Sequence, residues 1–165
     1  MDDLELESSG RILLTREGHK RLKEELRYLS VEKRAEIAER IRESKDHGEY
    51  SEDNSELDEV KVEQAMVENR INELKLVLSN AETLQMRKIP TDSVGLGSRV
   101  SLRDKRRRIE FEIRVVASPE ANADEDLISL ESPLGKALIG GAVGDIIKYE
   151  APGGALRYEI VGIRK

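Results

Sequence analysis

Residues 43–59 read ESKDHGEYSEDNSELDE and join two long segments that have helical periodicity. One residue of the stretch, Lys45, is basic, and eight are acidic: Glu43, Asp46, Glu49, Glu52, Asp53, Glu56, Asp58 and Glu59. Two helical runs joined by a short polar turn predict an antiparallel hairpin with concentrated negative charge at its turn. Such a rod suits the delivery of acid groups, and of a metal ion with them, into a cavity of another molecule.

The two flanking segments repeat apolar residues every three or four positions, as the seam of a coiled coil does. Thr15 precedes the first run and is suited to a helix start. The first run is Leu22, Leu26, Leu29, Ile37 and Ile41, with a break at Lys33, and the second is Leu57, Val60, Gln64, Val67, Ile71, Leu74 and Leu78. We interpret Gln64 as a polar residue that sets the register of the seam.

Beyond Pro90 the apolar pattern changes to alternation, which predicts strands over residues 109–115 and 156–160. Shorter apolar pieces at 127–130 and 146–149 predict two more strands. Ser132 and Pro133 suit the N-cap and first turn of a short helix that continues to Leu138. The fold class is therefore α+β: an N-terminal antiparallel coiled-coil hairpin, followed by a small antiparallel sheet with a short helix.

Composition excludes several classes of protein. Charged residues make up 38% of the 165-residue chain and aromatic residues 3%, which argues against one large core. The absence of Cys excludes disulfides and thiol chemistry, and the two His are too few for a histidine-based metal site or triad. No apolar run approaches the roughly 20 residues of a membrane span, and the acidic N-terminus is not a secretion signal. A cytoplasmic protein without a membrane partner is expected.

Positive charge concentrates in one short run, RDKRRR at residues 103–108. A net charge of −6 argues against general binding of nucleic acid backbones. The run precedes a predicted strand, so we interpret it as an exposed hairpin turn or as a contact to an acidic partner surface.

Several motifs, in order along the chain, resemble the bacterial Gre transcript cleavage factors, also known as the GreA/GreB-like elongation factors. They are LTREG at 14–18, LKEEL at 22–26, DHGEYSE at 46–52, LSNA at 78–81, LISLESPLGKALIG at 127–140 and APGG at 151–154. The resemblance implies a coiled-coil finger followed by an FKBP-like domain. On that basis residues 1–10 are a flexible acidic tail, 11–86 the finger with its tip at about 46–56, and 92–165 the domain that docks on the polymerase.

The resemblance also implies a function. The protein would bind RNA polymerase as an accessory factor rather than an enzyme, insert the finger into the secondary channel and stimulate the polymerase's own Mg²⁺-dependent cleavage of backtracked RNA. Its partners would be the polymerase and the extruded RNA 3′ end. Mg²⁺ would be shared with the polymerase and not held stably by the free factor, which is expected to be a monomer.

The same resemblance assigns roles to the tip and to one loop. Glu49 would bind the second Mg²⁺, and either Glu52 or Asp53 would support the metal and orient the attacking water. Ser51 would hydrogen-bond water or phosphate, and Tyr50 would contact the channel wall or the extruded base. The loop at 132–141 would dock on the channel rim, through residues that include Ser132, Pro133, Leu134 and Gly135.

The tip departs from the family pattern in two ways: Glu49 stands where most members have Asp, and the tip holds one extra residue. An alternative is therefore a Gre-like regulator or inhibitor that occupies the channel without stimulating cleavage. A peptidyl-prolyl isomerase is discounted, because beyond Pro90 only Phe111, Tyr149 and Tyr158 are aromatic. A plain coiled-coil scaffold would tolerate neutralisation of the tip carboxylates.

Overall fold

The computed structural model describes residues 10–48 and 55–165. The chain divides into two compact units, Met1–Gly18 with Ala81–Lys165, and His19–Asn80. We call them the sheet unit and the helical unit. This division assigns residues 11–18 and 81–86 to the sheet unit, whereas the sequence places them in the finger, and the predicted functional boundaries stay a prediction. Apart from Gly10, the predicted acidic tail lies outside the described residues.

The predicted helices and strands occur in the predicted order along the chain, together with further short elements. The helices are α1 (Arg16–Tyr28), a π-helical segment (Leu29–Lys33), α2 (Arg34–Gly48), α3 (Ser55–Ser79) and α4 (Pro133–Leu138). The strands are β1 (Ile12–Leu14), β2 (Ala81–Thr83), β3 (Arg99–Asp104), β4 (Ile109–Val116), β5 (Leu127–Ser129), β6 (Ile146–Ala151) and β7 (Gly154–Arg164). Within the described part of the chain, none of the helices has the length and apolar character needed to cross a bilayer.

The helical unit is a hairpin in which a continuous helical run through α1 and α2 packs against α3. Its buried seam consists of Ile37, Val60, Val67 and Ile71, with Leu26, Leu29 and Ile41 packed beside it. Full burial of a Val or Ile side chain stabilises by about 1.5–3 kcal/mol. The seam is therefore what holds the two helices together, and the predicted hairpin is confirmed.

The π-helical segment accounts for the break in the first apolar run. A π turn is wider than an α turn and changes the phase of the helix. Leu29, at its start, and Ile37, after it, consequently both pack in the seam, although eight residues separate them. The break at Lys33 thus marks a local rewinding of one helix and not its end.

Gln64 was predicted to lie in the seam, and this was wrong, since its side chain is exposed. At that level of the hairpin, the neighbouring Glu63 bonds Lys33 and Arg40 from the facing helix. Polar contact between the helices is made there at the edge of the seam and not inside it.

The sheet unit contains five strands in the order β5-β4-β3-β7-β6 and a separate parallel pair, β1 with β2. The core between this sheet and α4 includes Val100, Leu102, Val115, Leu138 and Ile160, all fully buried. Alternation along β3, β4 and β7 directs these residues inward. The predicted strands and short helix are confirmed, whereas β1, β2 and β3 were not predicted.

The sheet is mixed and not antiparallel throughout, which corrects the predicted fold class. β5 pairs with β4 in parallel, with Arg114 opposite Leu127 and Val116 opposite Ser129. Two short 3₁₀ turns, Ser118–Glu120 and Ala123–Glu125, lie between the strands. They return the chain to the level of Arg114, so that β5 runs beside the last three residues of β4 in the same direction, as a parallel pair requires.

Candidate functional site

All the predicted tip residues lie between the end of α2 and the start of α3. These residues, Glu49, Tyr50, Ser51, Glu52 and Asp53, fall outside the described part of the chain. Their predicted roles therefore stay predictions, and the site is built from the residues on either side.

Five carboxylates flank the tip on the described helices, and all five are exposed. None of them makes an ion pair with another described residue. They are Glu43, Asp46, Glu56, Asp58 and Glu59. Each turn of helix beside the tip consequently adds negative charge that no described cation neutralises.

Farther along the hairpin, acidic and basic side chains pair across the two helices. Arg34 donates two hydrogen bonds to Glu68, with Nε–Oε1 and Nη2–Oε2 distances of 2.7 and 2.8 Å. Glu63 accepts from Arg40 at 2.6 Å and forms an ion pair with Lys33 at 2.8 Å. Such exposed pairs add little stability because solvent screens them, but they set the register of the helices.

Arg70 makes a second fork closer to the other end of the hairpin. Its Nε and Nη2 donate to the two carboxylate oxygens of Glu25 at 2.7 and 3.1 Å. This fork, with that of Arg34, joins α3 to the first helical run at two separate levels. Apart from Glu24, which is exposed and makes no ion pair with a described residue, the carboxylates of the hairpin body are thus engaged, in contrast to those beside the tip.

The pKa shifts agree with this contrast. A hydrogen bond from Lys33, followed by one from Arg40, lowers the pKa of Glu63 below its ordinary value. A hydrogen bond from Arg34 lowers the pKa of Glu68 in the same way. Both acids are held in the charged form by their partners. Negative charge that is free to bind a cation is therefore concentrated at the tip end of the hairpin.

A magnesium site is compatible with this donor chemistry, since Mg²⁺ prefers carboxylate and water oxygens and commonly takes only one or two protein carboxylates. Among residues 10–48 and 55–165, no group of three or more possible ligands is placed to hold a metal ion. The predicted ligands, Glu49 and Glu52 or Asp53, lie outside that part, and their metal role stays a prediction.

The predicted docking residues come together at the start of α4. The Ser132 hydroxyl accepts a hydrogen bond from the Gly135 N–H at 3.0 Å and donates to the Ser129 carbonyl at 2.6 Å. A Cβ on Gly135 would overlap that carbonyl oxygen. Leu134 packs against the core, and Pro133 is exposed. The turn is thus rigidly built, with Pro133 on its surface, and its docking role stays a prediction.

The sequence did not reveal the polar cluster that holds the first turn of α1. Glu120, 2% exposed, accepts the Thr15 N–H at 2.9 Å, and its other carboxylate oxygen accepts the Thr15 hydroxyl. The Thr15 oxygen in turn accepts the Gly18 N–H at 3.1 Å. In a capping box, the acid that bonds the N-cap N–H stands at the third helical position. Here Gly18 occupies that position, and an acid from the loop after β4 takes over the role.

A second link fixes the same helical turn. Arg114, 6% exposed, donates to the Gly97 carbonyl at 3.1 Å and forms an ion pair with Glu17 at 3.4 Å. The pKa of Glu17 is lowered, first by hydrogen bonding to the backbone and then by Arg114. In the sequence, this cluster is indicated only by Thr15, which suits an N-cap, and by Gly18 at the third helical position, where an acid is usual.

Comparison with known proteins identifies the family. A model described as "Transcription elongation factor, N-terminal" matches residues 12–83, and one described as "Transcription elongation factor, GreA/GreB, C-term" matches 89–165. Transcription elongation factor GreA of Thermoanaerobacter pseudethanolicus is 45% identical over 93% of this chain and 98% of its own. The chain belongs to the GreA/GreB family of transcription elongation factors.

A further sequence relative agrees with this membership. Transcription elongation factor GreA of Acetivibrio thermocellus is 45% identical over 93% of the chain and 96% of its own length. Among solved structures, GreA factor homolog 1 of Thermus thermophilus is 32% identical, with a TM-score of 0.44, and covers 94% of this chain and 99% of that one. The two family models and the GreA sequences confirm the GreA/GreB resemblance over nearly the whole chain.

Proposed function

We propose that this protein is a transcription elongation factor that binds RNA polymerase and inserts its helical hairpin into the secondary channel. There it stimulates the polymerase's own Mg²⁺-dependent hydrolysis of backtracked RNA, acting as an accessory factor and not as an enzyme. In a member of the GreA/GreB family, one observation carries the proposal. The described carboxylates beside the tip are exposed and unpaired, whereas those of the hairpin body, with the exception of Glu24, are paired.

The tip residues have distinct roles in this proposal. Glu49 binds the second metal, and Glu52 or Asp53 supports it and orients the attacking water. Ser51 hydrogen-bonds water or phosphate, and Tyr50 contacts the channel wall or the extruded base of the RNA 3′ end. When bound, a second Mg²⁺ stabilises charge on the oxygens of an in-line displacement. In this proposal the tip carboxylates supply part of the coordination shell of the second Mg²⁺, and the polymerase supplies the rest.

The sheet unit has the docking role in the same proposal. We assign to it the FKBP-like character that the family resemblance implies, within residues 92–165. The turn at Ser132–Gly135 contacts the rim of the channel, and the exposed Pro133 is its most accessible member. The factor works as a monomer in the cytoplasm.

The experiment is a stalled, backtracked elongation complex carrying 5′-labelled RNA. The wild-type factor should shorten the RNA, whereas Glu49→Ala should lose this activity and still compete for the polymerase. Comparison of Glu52→Ala with Asp53→Ala decides which of the two carboxylates has the second role. Glu24→Ala is the matched control, because it removes an exposed acid of the hairpin body that makes no ion pair with a described residue.

Two results would contradict the proposal. If the wild-type factor binds the polymerase and slows elongation without shortening the RNA, the protein is an inhibitor built on the same scaffold. If all the tip variants shorten the RNA as well as wild type does, the hairpin is only a scaffold.

A further inference from the structure

The turn between β3 and β4 carries positive charge for which the proposed function has no use. Lys105, Arg106, Arg107 and Arg108 follow one another in this turn, and all four are exposed. Arg103 and Arg157, with three of the turn residues, line a depression of about 630 Å³. We call these six cationic residues (Arg103, Lys105, Arg106, Arg107, Arg108 and Arg157) the basic surface.

Few acids face the basic surface, and those that do are already engaged. Asp104 is 5% exposed, and its Oδ1 accepts the backbone N–H groups of Arg106 and Arg107 at 2.9 and 3.1 Å. Glu110 accepts from Arg103 at 2.7 Å, and Glu159 lies 3.1 Å from the Lys105 ammonium. Asp104 thus stabilises the turn. The six cations of the basic surface outnumber the three acids that lie beside them.

Three arginines of the basic surface have no acidic partner among the described residues. The side chains of Arg106, Arg108 and Arg157 form no ion pair and no hydrogen bond within residues 10–48 and 55–165. Their guanidinium groups are consequently available to a ligand from outside the chain.

The backbone of Arg108 supports a role for its charge. Its φ of +56° lies in the left-handed region, where Gly or Asn is usual and a side chain such as Arg is disfavoured. A turn that only connects two strands would be better served by Gly at this position. Strain of this kind is found where a side chain has a function.

We propose that the basic surface binds the phosphodiester backbone of a nucleic acid. Five of its six cations are Arg, whose planar fork matches phosphate oxygens in a bidentate manner. Tyr158, the one aromatic residue lining the depression, is 8% exposed and offers no platform for base stacking. Binding is therefore to phosphates and independent of base sequence.

The net charge of −6 explains why the binding would be local. The negative net charge disfavours general attraction of a polyanion, and we therefore place the contact at this local concentration of cations. The sequence had favoured a solubilising turn or a contact to an acidic protein, because the net charge argued against nucleic acid. The unpaired arginines and the strained Arg108 change that balance. The inference does not depend on the proposed function, since it concerns the free factor.

The test measures binding of the full-length protein to a fluorescein-labelled DNA duplex and to a labelled single-stranded RNA, by fluorescence anisotropy at several salt concentrations. The variant is Arg106→Gln/Arg107→Gln/Arg108→Gln. The control, Arg87→Gln/Lys88→Gln/Lys165→Gln, removes three exposed cations from the same unit and has the same net charge. Each lost phosphate contact should reduce the slope of log affinity against log salt by about one.

Wild type and control should bind with similar affinity and slope, and the triple variant should lose at least about tenfold in affinity at low salt. Preference for the duplex or for the RNA identifies the source of the phosphates. Arg108→Gly should bind more weakly while remaining fully folded, which separates the loss of charge from loss of structure.

Three outcomes would overturn the proposal. In the first, wild type fails to bind either nucleic acid at the lowest salt concentration. In the second, the triple variant and its control bind equally well. In the third, a parallel measurement with RNA polymerase shows a loss of affinity in the triple variant, whereas its affinity for nucleic acid is unchanged. The basic surface would then be a contact to an acidic protein.

Discussion

Gly18 shows how one residue decides the start of a helix. It leaves room for the buried Glu120 carboxyl group, which bonds Thr15 and lies at the positive end of the α1 dipole. A Cβ at Gly18 would overlap the carboxyl carbon of Glu120. Most glycines are replaceable by alanine in a helix at no cost in backbone conformation, but here the neighbour is a buried charged group.

Gly18→Ala should therefore lower the free energy of unfolding by about 1–3 kcal/mol, the usual range for overpacking in a well-packed site. Denaturant unfolding measures the loss. Gly153→Ala is the control, because nothing lies within 4 Å of a Cβ at Gly153. Equal stability of Gly18→Ala and wild type would show that Glu120 can move away freely.

A gain in stability, the opposite effect, is expected from a substitution at Arg108, because the backbone of this residue is strained. Arg108→Gly should raise the free energy of unfolding by about 1 kcal/mol by relieving the left-handed conformation. Arg106→Gly, in the same turn but without a positive φ, should not stabilise. Thermal unfolding of the two variants side by side checks the prediction, and a stabilisation common to both would point to reduced charge repulsion instead.

At the scale of the element, the helical hairpin is held by its seam and set in register by its charges. Burial of Ile37, Val60, Val67 and Ile71 provides the stability. The forks from Arg34 and Arg70 select one of the registers that a repeating seam would allow. A carboxylate with a lowered pKa adds stability that is present above its unfolded pKa and lost as the pH falls through its folded pKa.

Glu63 and Glu68 make the stability of the hairpin sensitive to acid. Their unfolded pKa is near 4.5 and their folded pKa lies lower, so the wild-type protein should lose helical stability as the pH falls below about 4.5. Glu68→Gln cannot titrate and should lose less between neutral and acidic pH. Circular dichroism melts across that range measure this.

Glu24→Gln is the control for that experiment, because Glu24 is exposed and makes no ion pair with a described residue. It should show the wild-type dependence on pH. A wild-type dependence in Glu68→Gln as well would mean that the pairing with Arg34 does not contribute to acid sensitivity.

The elements with strong local signals could be predicted from the sequence. The Ser132 cap with Pro133 predicted α4 to its last residue, and alternation predicted β4. Other features depend on contacts distant in sequence. β1 and β2 are three residues long and exist only as a pair, and the direction of β5 follows from the turns before it. β3 did have a signal, the alternation of Val100 and Leu102, which its charged neighbours obscured.

The candidate site was predictable to a different degree. Its acidic character and its place between two helices follow from residues 43–59 alone. The contrast between paired acids in the hairpin body and unpaired acids beside the tip does not, because it requires knowledge of which side chains face each other across two helices. The capping of α1 by Glu120 could not be predicted for the same reason, since 105 residues separate Glu120 from Thr15.

At the scale of the whole molecule, the two units carry surfaces of opposite charge. The helical unit presents the carboxylates beside the tip, and the sheet unit presents the basic surface. In the proposed function, the first surface takes metal ligands to a catalytic centre that belongs to the polymerase. The second would bind the phosphates of a nucleic acid. A net charge of −6 conceals both, because it averages over them.

The most direct test of the central claim is the Mg²⁺ dependence of RNA cleavage in a backtracked polymerase complex saturated with the factor. If Glu49 is a metal ligand, the Mg²⁺ concentration for half-maximal rate should rise by at least about tenfold in Glu49→Ala, and excess Mg²⁺ should restore part of the rate. Glu24→Ala, which removes an exposed acid of the hairpin body, should keep the wild-type value. An unchanged Mg²⁺ requirement in Glu49→Ala, with or without a lower rate, would contradict the claim that the hairpin supplies a ligand to the metal.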